Sequence, residues 1–490
     1  MIEKVEFENF RNLKGEYSFD TPLCTIFGKN NSGKTNILDG IRLAFSCITN
    51  DYFKINKSDF YKCDDSNPII IKVKLKNVSI KSLQFFDETG KEECGFIATI
   101  KKSSNGRYYK KVQMLNGAPI DYDILREDSS IPNIFFLPLI RTDNVYAEWL
   151  TTGISKFIDS DEKYKNLKKE SRDNILKSMD KKIDKFKSFC RMFNQDFNIE
   201  LSEPKITDEK VFIVNGKEEC DYCFGAGYKS IANIILNAME DNYNIILIDE
   251  LENHLHPSLI RTLIREIKNL GNNLQIIATT HSPIIVNELS LNELIDASGI
   301  CLSKLSFDNR KKIEKFLHPG RSEIVFAENI ILVEGYTEEM LLKFYLESNN
   351  NQNWTIVNVA GVMFEPYIEL CNLLNKKVLV ISDTDIILNY KFDGNDSGEL
   401  APSDRFQNLK RYCENNNVKL LEVYNTLESD LYKNGYLSSV KDLLINTNIE
   451  NIYIAKNGKK TLIVDRLIDD EVDLSNWHII KDIRNEFNSN

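Results

Sequence analysis

The sequence predicts an α/β protein with two successive domains built on parallel sheets, and three observations support this fold class. A short apolar strand, Leu23–Phe27, runs into a glycine-rich loop and then into a helix that begins at Thr35. Two further apolar strands, 244–248 and 275–279, each follow a segment with helical spacing. The same alternation of strand and helix begins again at Asn329. Apolar runs separated by helices are typical of parallel sheets that are buried on both faces.

Length and composition are compatible with this prediction. The chain has 490 residues, 42% hydrophobic and 28% charged, with a formal net charge of −11. It is long enough for two or three cores, and its acidity excludes a uniformly basic nucleic-acid coat but not a local basic groove. The ten cysteines are scattered, with Cys220 and Cys223 as an isolated CxxC. Because no apolar run resembles a signal peptide or a membrane span, we expect a reducing, cytoplasmic location.

Changes in pattern along the chain suggest domain boundaries. We expect the first domain at residues 1–290, a linker at 291–325 and the second domain at 326–490. Within the first domain, residues of about 150–200 are rich in Lys, Asp and Glu, with apolar residues at helical intervals. This pattern predicts an amphipathic helical insert, which is either a solvated helix pair or a self-association arm.

The glycine-rich loop fits the phosphate-binding loop pattern across the eight residues from Gly28 to Thr35. Its backbone N–H groups, including that of Asn31, would surround phosphate oxygens, and Gly28 and Gly33 permit the backbone angles that this requires. Lys34 would place a positive charge beside the outer phosphates. Thr35 would offer its hydroxyl to Mg²⁺ at the start of a helix whose dipole favours anions.

Acidic residues follow the apolar strand 244–248. We expect Asp249 to hold Mg²⁺ through water, and Glu250 to orient or deprotonate the attacking water. His281 follows the next apolar strand, where a histidine can contact the γ-phosphate. A histidine after a strand is more often structural when it stands alone. Because His281 follows the glycine-rich loop and the acidic strand end in the chain, we expect it to belong to a site for ATP.

A second acidic set lies in the carboxyl-terminal third. Glu334 ends a buried strand, Gly335 provides a turn, and Glu338 lies near the start of the next helix. Asp383 and Asp385 follow another buried strand. Clustered carboxylates repel one another without cations, and hard oxygen ligands suit Mg²⁺ or Mn²⁺. Two such ions would activate a water and stabilise a leaving oxygen.

The nucleotide motifs resemble those of ABC-type ATPases of the SMC, Rad50 and RecF group, and Glu252–Pro257 resembles the D-loop of their overcoming-lysogenization-defect (OLD) relatives. The resemblance implies two heads that sandwich ATP, and therefore a homodimer or higher homo-oligomer such as a tetramer. Gly225 and Gly227 stand where these ATPases carry a signature loop, although the segment departs from the usual Ser-Gly-Gly-Gln. The insert is too short for an SMC or Rad50 coiled coil.

The second acidic set resembles a Toprim domain, the Rossmann-like α/β metal module of topoisomerases, primases and OLD nucleases. The resemblance implies catalytic and metal-binding roles for Glu334, Asp383 and Asp385, with Glu338 as a further ligand. Thr426-Leu427-Glu428 resembles another ligand element of the OLD family, with Glu428 as the ligand. The family also has a catalytic lysine near its carboxyl terminus. Lys460 is our choice, with Lys456 and Lys459 as alternatives.

An ABC-type head with a helical dimerisation insert, followed by a Toprim domain, is the order found in OLD nucleases, which include Gabija nucleases and retron-associated effectors. The resemblance implies an ATP-regulated, metal-dependent DNA endonuclease of bacterial anti-phage defence, with a helicase or a reverse transcriptase and its non-coding RNA as partner. One alternative is an ATP-switched DNA-binding scaffold with an inert Toprim module. A topoisomerase or primase is disfavoured, because no recognisable domain would present a nucleophilic tyrosine or a template.

Overall fold

The computed structural model describes residues 1–49, 52–78, 80–87, 89–120, 125, 130–138, 199–201, 211–214, 217–220, 234, 243–269, 274–316, 319–347, 354–361, 364–388, 400–438 and 460–488. The chain divides into two compact units, Met1–Leu302 and Ser303–Asn490. Among the described residues, no helix is both long and apolar enough to cross a membrane. Apart from a strand at 199–201, the predicted insert lies outside the described residues, as do Gly225, Gly227, Lys456 and Lys459.

Three sheets make up the described part of the first unit. Its strands are β1 (Ile2–Phe10), β2 (Leu13–Ser18), β3 (Leu23–Phe27), β4 (Ile69–Leu75), β5 (Gln84–Phe86), β6 (Glu92–Lys102), β7 (Tyr108–Met114), β8 (Ile134–Leu137), β9 (Ile199–Leu201), β10 (Val211–Val214), β11 (Lys217–Cys220), β12 (Ile245–Ile248), β13 (Gln275–Thr280) and β14 (Leu294–Asp296). The order β2-β1-β4-β6-β5, with β7 beside β6, gives an antiparallel sheet. The order β14-β3-β13-β12-β8 gives a parallel sheet, and β11-β10-β9 a small antiparallel one.

Among the described residues, the first unit has the α-helices α1 (Lys34–Phe45), α2 (Pro257–Asn269) and α3 (Pro283–Glu288). Strand β3 is buried along its whole length, because β13 and β14 flank it on both sides. The glycine loop therefore leaves the carboxyl end of an interior strand and enters α1, which is the position where parallel sheets bind phosphates.

The start of the interval that we expected to be a linker belongs to the first unit. Strand β14 pairs in parallel with β3, from Leu294 beside Thr25 to Asp296 beside Phe27. Leu294 and Ile295 are buried, so this segment closes the edge of the parallel sheet. The division between the units follows Leu302.

Two close contacts join the sheets and α1 within the first unit. The fully buried Gln275 on β13 accepts a hydrogen bond from the backbone N–H of Ile2 at 2.7 Å and donates one to the Ile2 carbonyl at 2.8 Å. Gly40 lies on α1 against Phe7 of β1, where an added Cβ would come within 2.4 Å of Phe7 Cε1. The absence of a side chain at Gly40 therefore lets α1 lie close to the antiparallel sheet, which fixes the helix behind the glycine loop.

A four-stranded parallel sheet forms the centre of the second unit. Its helices and strands are α4 (Phe307–Phe316), α5 (Pro319–Ser322), β15 (Asn329–Val333), α6 (Tyr336–Glu347), β16 (Trp354–Asn358), α7 (Phe364–Leu373), β17 (Lys377–Asp383), β18 (Ile387–Leu388), β19 (Leu400–Ala401), α8 (Asp404–Asn415), β20 (Lys419–Val423), α9 (Leu427–Lys433), α10 (Lys460–Asp469) and α11 (His478–Asn488). The strand order is β16-β15-β17-β20, and β18 pairs with β19 apart from this sheet.

The topology of the second unit brings its acidic residues to one sheet edge. Strands β15 and β17 are neighbours and run in parallel, so Glu334 and Asp383 emerge at the same end. Helix α10 packs against α6, which carries Glu338, and Lys460 is the first residue of α10. The buried Trp477 donates to the buried carboxylate of Asp430 at 2.9 Å and anchors α9 in this core.

Replacement of Gly40 by alanine tests the packing of α1. Helix propensity alone predicts that Gly40→Ala stabilises the protein by about 1 kcal/mol. Because the new methyl group would collide with Phe7, we expect the opposite, a loss of about 1–3 kcal/mol in the free energy of unfolding. Guanidinium unfolding measures the difference, and the loss should be smaller in a Phe7→Leu background, where the ring is absent. A more stable Gly40→Ala protein would contradict the close packing.

Candidate nucleotide and metal sites

The glycine loop encloses the ammonium group of Lys34. This side chain is buried, and Nζ donates to the carbonyl oxygens of Gly28 at 2.8 Å and Lys29 at 2.7 Å. Burial lowers the pKa of Lys34, and the carboxylates of Glu250, Glu252 and Asp249 offset part of this effect. The positive charge is thus held inside the loop, where phosphate oxygens would meet it.

Left-handed backbone shapes the loop around this charge. Asn31 has φ 65° and Gly33 has φ 94°. A Cβ at Gly33 would approach the side-chain amide of Asn12 to 3.0 Å, so a larger residue would meet both backbone strain and a steric contact. The next residue, Lys34, begins α1.

Thr35 meets Asp249 across the parallel sheet. The Thr35 hydroxyl lies 3.1 and 3.0 Å from the two carboxylate oxygens of Asp249, which is buried at the end of β12. Thr279 on β13 donates to Asp249 Oδ1 at 2.7 Å, and its hydroxyl accepts the backbone N–H of Glu250 at 2.8 Å. A hydroxyl beside a carboxylate suits the oxygen coordination of Mg²⁺.

Glu250 and His281 face each other at this sheet edge. His281 Nδ1 lies 3.4 Å from Glu250 Oε1 and 3.5 Å from Glu252 Oε1. Burial raises the pKa of Glu250, while His281 lowers it. Glu250 also adopts a left-handed φ of 52°, a conformation that costs a non-glycine residue about 1–3 kcal/mol and clusters at functional sites.

Glu252 has a role that its motif did not predict. Its carboxylate accepts hydrogen bonds from the Thr280 hydroxyl at 2.9 Å and from the backbone N–H of His281 at 2.8 Å. Glu252 therefore fixes the turn that carries His281. The sequence indicated this residue only as part of a D-loop resemblance.

In the second unit, Glu334 is tied to the end of β17. Its Oε1 accepts hydrogen bonds from the Ser382 hydroxyl at 2.6 Å and from the backbone N–H of Asp383 at 3.1 Å. A Cβ at Gly335 would lie 3.1 Å from Glu338 Oε2, so the glycine leaves room for that carboxylate. Burial raises the pKa of Glu338, and Glu428 and Glu334 raise it further.

The Asp383–Asp385 segment is held by the loop that follows β20. Thr384 N donates to Val423 O, and Asp385 N donates to Asn425 O, both at 3.0 Å. Asp385 adopts a left-handed φ of 44°. Burial raises the pKa of Asp383 well above its ordinary value, and the neighbouring carboxylates Glu334, Glu338, Glu428 and Asp385 raise it further.

Glu428 and Lys460 are brought together although they lie far apart in the sequence. The buried Glu428 carboxylate accepts the Thr426 hydroxyl at 3.0 Å, and Lys460 Nζ lies 3.5 Å from Glu428 Oε2. Burial alone would lower the pKa of Lys460, but the carboxylates of Glu428, Asp383 and Glu338 outweigh it and raise the pKa. Of the three candidate lysines, Lys460 is the one among the described residues.

Arg405 is a site residue that sequence reasoning missed. Its Nη2 lies 3.0 Å from Glu334 Oε2, and its Nη1 lies 3.3 Å from Asp385 Oδ2. The same guanidinium donates to the Gly361 carbonyl. An arginine just after a helix-capping serine has no distinguishing pattern, so only the docking of α8 reveals this position.

The carboxylates have the chemistry of ligands for a divalent cation, but their side chains are not arranged around a common point. Among the described residues, no three metal-binding side chains are already grouped as a ligand set. The Arg405 guanidinium contacts both Glu334 and Asp385 and so lies between them. Burial raises the pKa of Asp383, and the neighbouring carboxylates raise it further, so a hard cation among them would neutralise unfavourable negative charge. The donor set therefore fits Mg²⁺ or Mn²⁺.

Comparison with known proteins assigns two parts of the chain to known domain families. The profile of the AAA ATPase domain matches residues 1–124 and 141–286, more than half of the chain. The profile of the overcoming lysogenization defect protein-like TOPRIM domain matches residues 325–385. The predicted order of ATPase and Toprim domains is thereby confirmed, and it implies the use of a nucleotide and a divalent metal.

Three relatives align with half or more of this chain. Endonuclease GajA of Bacillus cereus (strain HuB5-5) is 23% identical, with 92% of this chain and 84% of GajA aligned. Old nuclease of Escherichia phage P2 is 22% identical, over 88% of this chain and 83% of the nuclease. The retron Vc95 probable ATPase of Vibrio cholerae serotype O1 biovar El Tor is 24% identical, over 53% of this chain and 49% of that ATPase. The chain belongs to the AAA ATPase domain family and, with its TOPRIM domain, to the OLD family.

Proposed function

We propose that the protein is an ATP-regulated, divalent-metal-dependent DNA endonuclease that cuts or nicks DNA in bacterial anti-phage defence. The observation that carries this proposal is the convergence of Glu334, Asp383 and Asp385 at one sheet edge, with Glu428 and Lys460 beside them. Relatives named as an endonuclease and a nuclease, each aligned over more than four fifths of both chains, support it.

The second unit would perform the cutting. Glu334, Asp383 and Asp385, with Glu338 and Glu428, would hold Mg²⁺ or Mn²⁺, which when bound polarises the phosphodiester and lowers the pKa of water. Lys460 would neutralise charge that develops on the phosphate. The hydrogen bonds from Ser382 and Asp383 to Glu334 keep that carboxylate in place before DNA binds.

The first unit would bind and hydrolyse ATP. Gly28, Asn31 and Gly33 would surround the phosphates, Lys34 would neutralise them, and Thr35 and Asp249 would hold Mg²⁺. Glu250 would act as the general base, for which a raised pKa is favourable, and His281 would contact the γ-phosphate. Gly225 and Gly227 would contact ATP from the partner head.

The proposal includes partners and a location. The heads would form a homodimer or a higher homo-oligomer such as a tetramer in the cytoplasm. DNA would be gripped by lysines and arginines, so its affinity should fall steeply as salt rises. A helicase, or a reverse transcriptase with its non-coding RNA, would operate beside it. A retron-associated ATPase among the relatives supports the second partner.

A second candidate function is an ATP-switched DNA-binding scaffold with an inert Toprim module. Arg405 favours this alternative, because its guanidinium contacts oxygens of Glu334 and Asp385 that a metal ion would need. The two candidates differ in whether the carboxylates cut DNA, which a single substitution decides.

Asp383→Ala should abolish DNA cleavage and leave ATP hydrolysis intact, because the acidic cluster and the glycine loop are separate sites. We expect cleavage of supercoiled plasmid to fall by at least about 100-fold. The matched control, Asp465→Ala, removes an exposed carboxylate from α10 and should cut normally. Cleavage that survives Asp383→Ala would contradict the role of the acidic cluster in cutting. A wild-type protein that hydrolyses ATP but cuts no DNA with Mg²⁺ or Mn²⁺ would favour the scaffold.

Glu250→Gln should separate ATP binding from ATP hydrolysis. The amide keeps the shape of the side chain but cannot accept a proton, so phosphate release should slow by about 100-fold or more. Binding of a fluorescent ATP analogue should persist, whereas Lys34→Ala should lose it. Unchanged phosphate release in Glu250→Gln would remove Glu250 as the base.

Asp383→Asn should stabilise the metal-free protein at alkaline pH. Because the pKa of Asp383 is raised on folding, its stabilising contribution is present below the ordinary value of 3.8 and is lost as pH rises through the folded pKa. In EDTA at pH 8, the neutral amide should raise the melting temperature by about 2–4 °C, and the gain should shrink towards pH 5. Asp465→Asn serves as the control. An equal gain at both pH values would argue against charge repulsion.

A further inference from the structure

The Arg405 guanidinium contacts three separate chain segments at the acidic sheet edge. It forms ion pairs with Glu334, which follows β15, and with Asp385, which follows β17. It also donates a hydrogen bond to the carbonyl of Gly361, which lies in the turn after β16. The backbone N–H of Gly361 in turn donates to the Glu334 carbonyl at 2.7 Å. Arg405 therefore joins the ends of three neighbouring strands through a single cationic group.

The Arg405 backbone is fixed in α8, whereas its side chain is partly exposed. The side chain of Ser403 caps α8 by accepting the Phe406 N–H at 3.2 Å, and Phe406 is buried. The Arg405 side chain itself is 39% exposed, so rotation about its bonds can carry the guanidinium away without any change in α8. A displaced guanidinium would remain close to the carboxylates.

Arg405 and a divalent cation would compete for the same oxygens. Glu334 Oε2 and Asp385 Oδ2 are the atoms that the guanidinium contacts. Any ion that takes both oxygens must first displace the arginine. After displacement, a planar guanidinium with several parallel donors matches the oxygens of a phosphodiester.

We propose that Arg405 is an internal counter-ion that closes the acidic site until a divalent cation displaces it, and that the released guanidinium then binds the phosphate of the DNA strand. The first half depends only on the contacts of Arg405. The second half rests on the proposed endonuclease function.

Titration of the full-length protein with Mn²⁺, without nucleotide or DNA, tests the first half. Arg405→Gln should bind Mn²⁺ about tenfold more tightly than the wild type, because a competing cation is gone. Arg405→Lys keeps a charge without the forked donors and should be intermediate. Arg411→Gln makes the same charge change at an exposed position further along α8 and should match the wild type. Asp383→Ala measures how much Mn²⁺ binds at other sites on the protein.

Thermal melting shows whether Arg405→Gln is folded. In EDTA, Arg405→Gln should melt at a lower temperature than the wild type, since the carboxylates lose their counter-ion, and saturating Mn²⁺ should restore most of the difference. Equal or weaker Mn²⁺ binding by an Arg405→Gln protein that melts cooperatively would overturn the counter-ion role.

DNA cleavage at saturating Mn²⁺ tests the second half. Arg405→Gln should cut about 100-fold more slowly than the wild type despite its tighter metal binding, and Arg405→Lys should recover part of the rate. Wild-type cleavage by Arg405→Gln would overturn phosphate binding. If the wild type cuts no DNA, the endonuclease proposal and this half fail together, whereas the Mn²⁺ titration still decides the first half.

Discussion

Mutual repulsion of carboxylates is the constraint on which the second unit depends. Parallel strands deliver Glu334 and Asp383 to the same edge, and the Asp385 and Glu428 side chains join them there. Such a cluster is unfavourable unless positive charge and hydrogen-bond donors surround it. The structure supplies both, through Arg405, Lys460, the Ser382 hydroxyl and the Asp383 N–H. A divalent cation would add positive charge to the same cluster and relieve this repulsion further.

Much of the fold was predictable because its signals are local. Leu23–Phe27 begins and ends where its apolar run predicts, and the apolar run 275–279 forms a strand that is one residue longer. The glycine loop and the acidic strand ends depend on short stretches of chain, so the sequence alone indicated both sites. The individual roles of these residues as ligands or catalysts remain predictions.

What the sequence did not predict depends on contacts between distant segments. Strand β14 has three residues, and nothing in their pattern indicates that they pair with β3, which lies far away in the sequence. Arg405 is significant only because α8 docks its first turn beside β15 and β17. Glu252 stands in a recognisable motif, yet its hydrogen bonds to the turn at His281 could not be read from spacing.

The Thr279 hydroxyl has a consequence for how ATP would be received. It donates to Asp249 and accepts the Glu250 N–H, while its strand also pairs with β3, which leads into the glycine loop. One interior strand thus sets the positions of two acidic residues and of the phosphate loop together. Part of the entropy cost of ordering these groups is therefore met when the protein folds, which leaves a smaller ordering cost when a nucleotide binds.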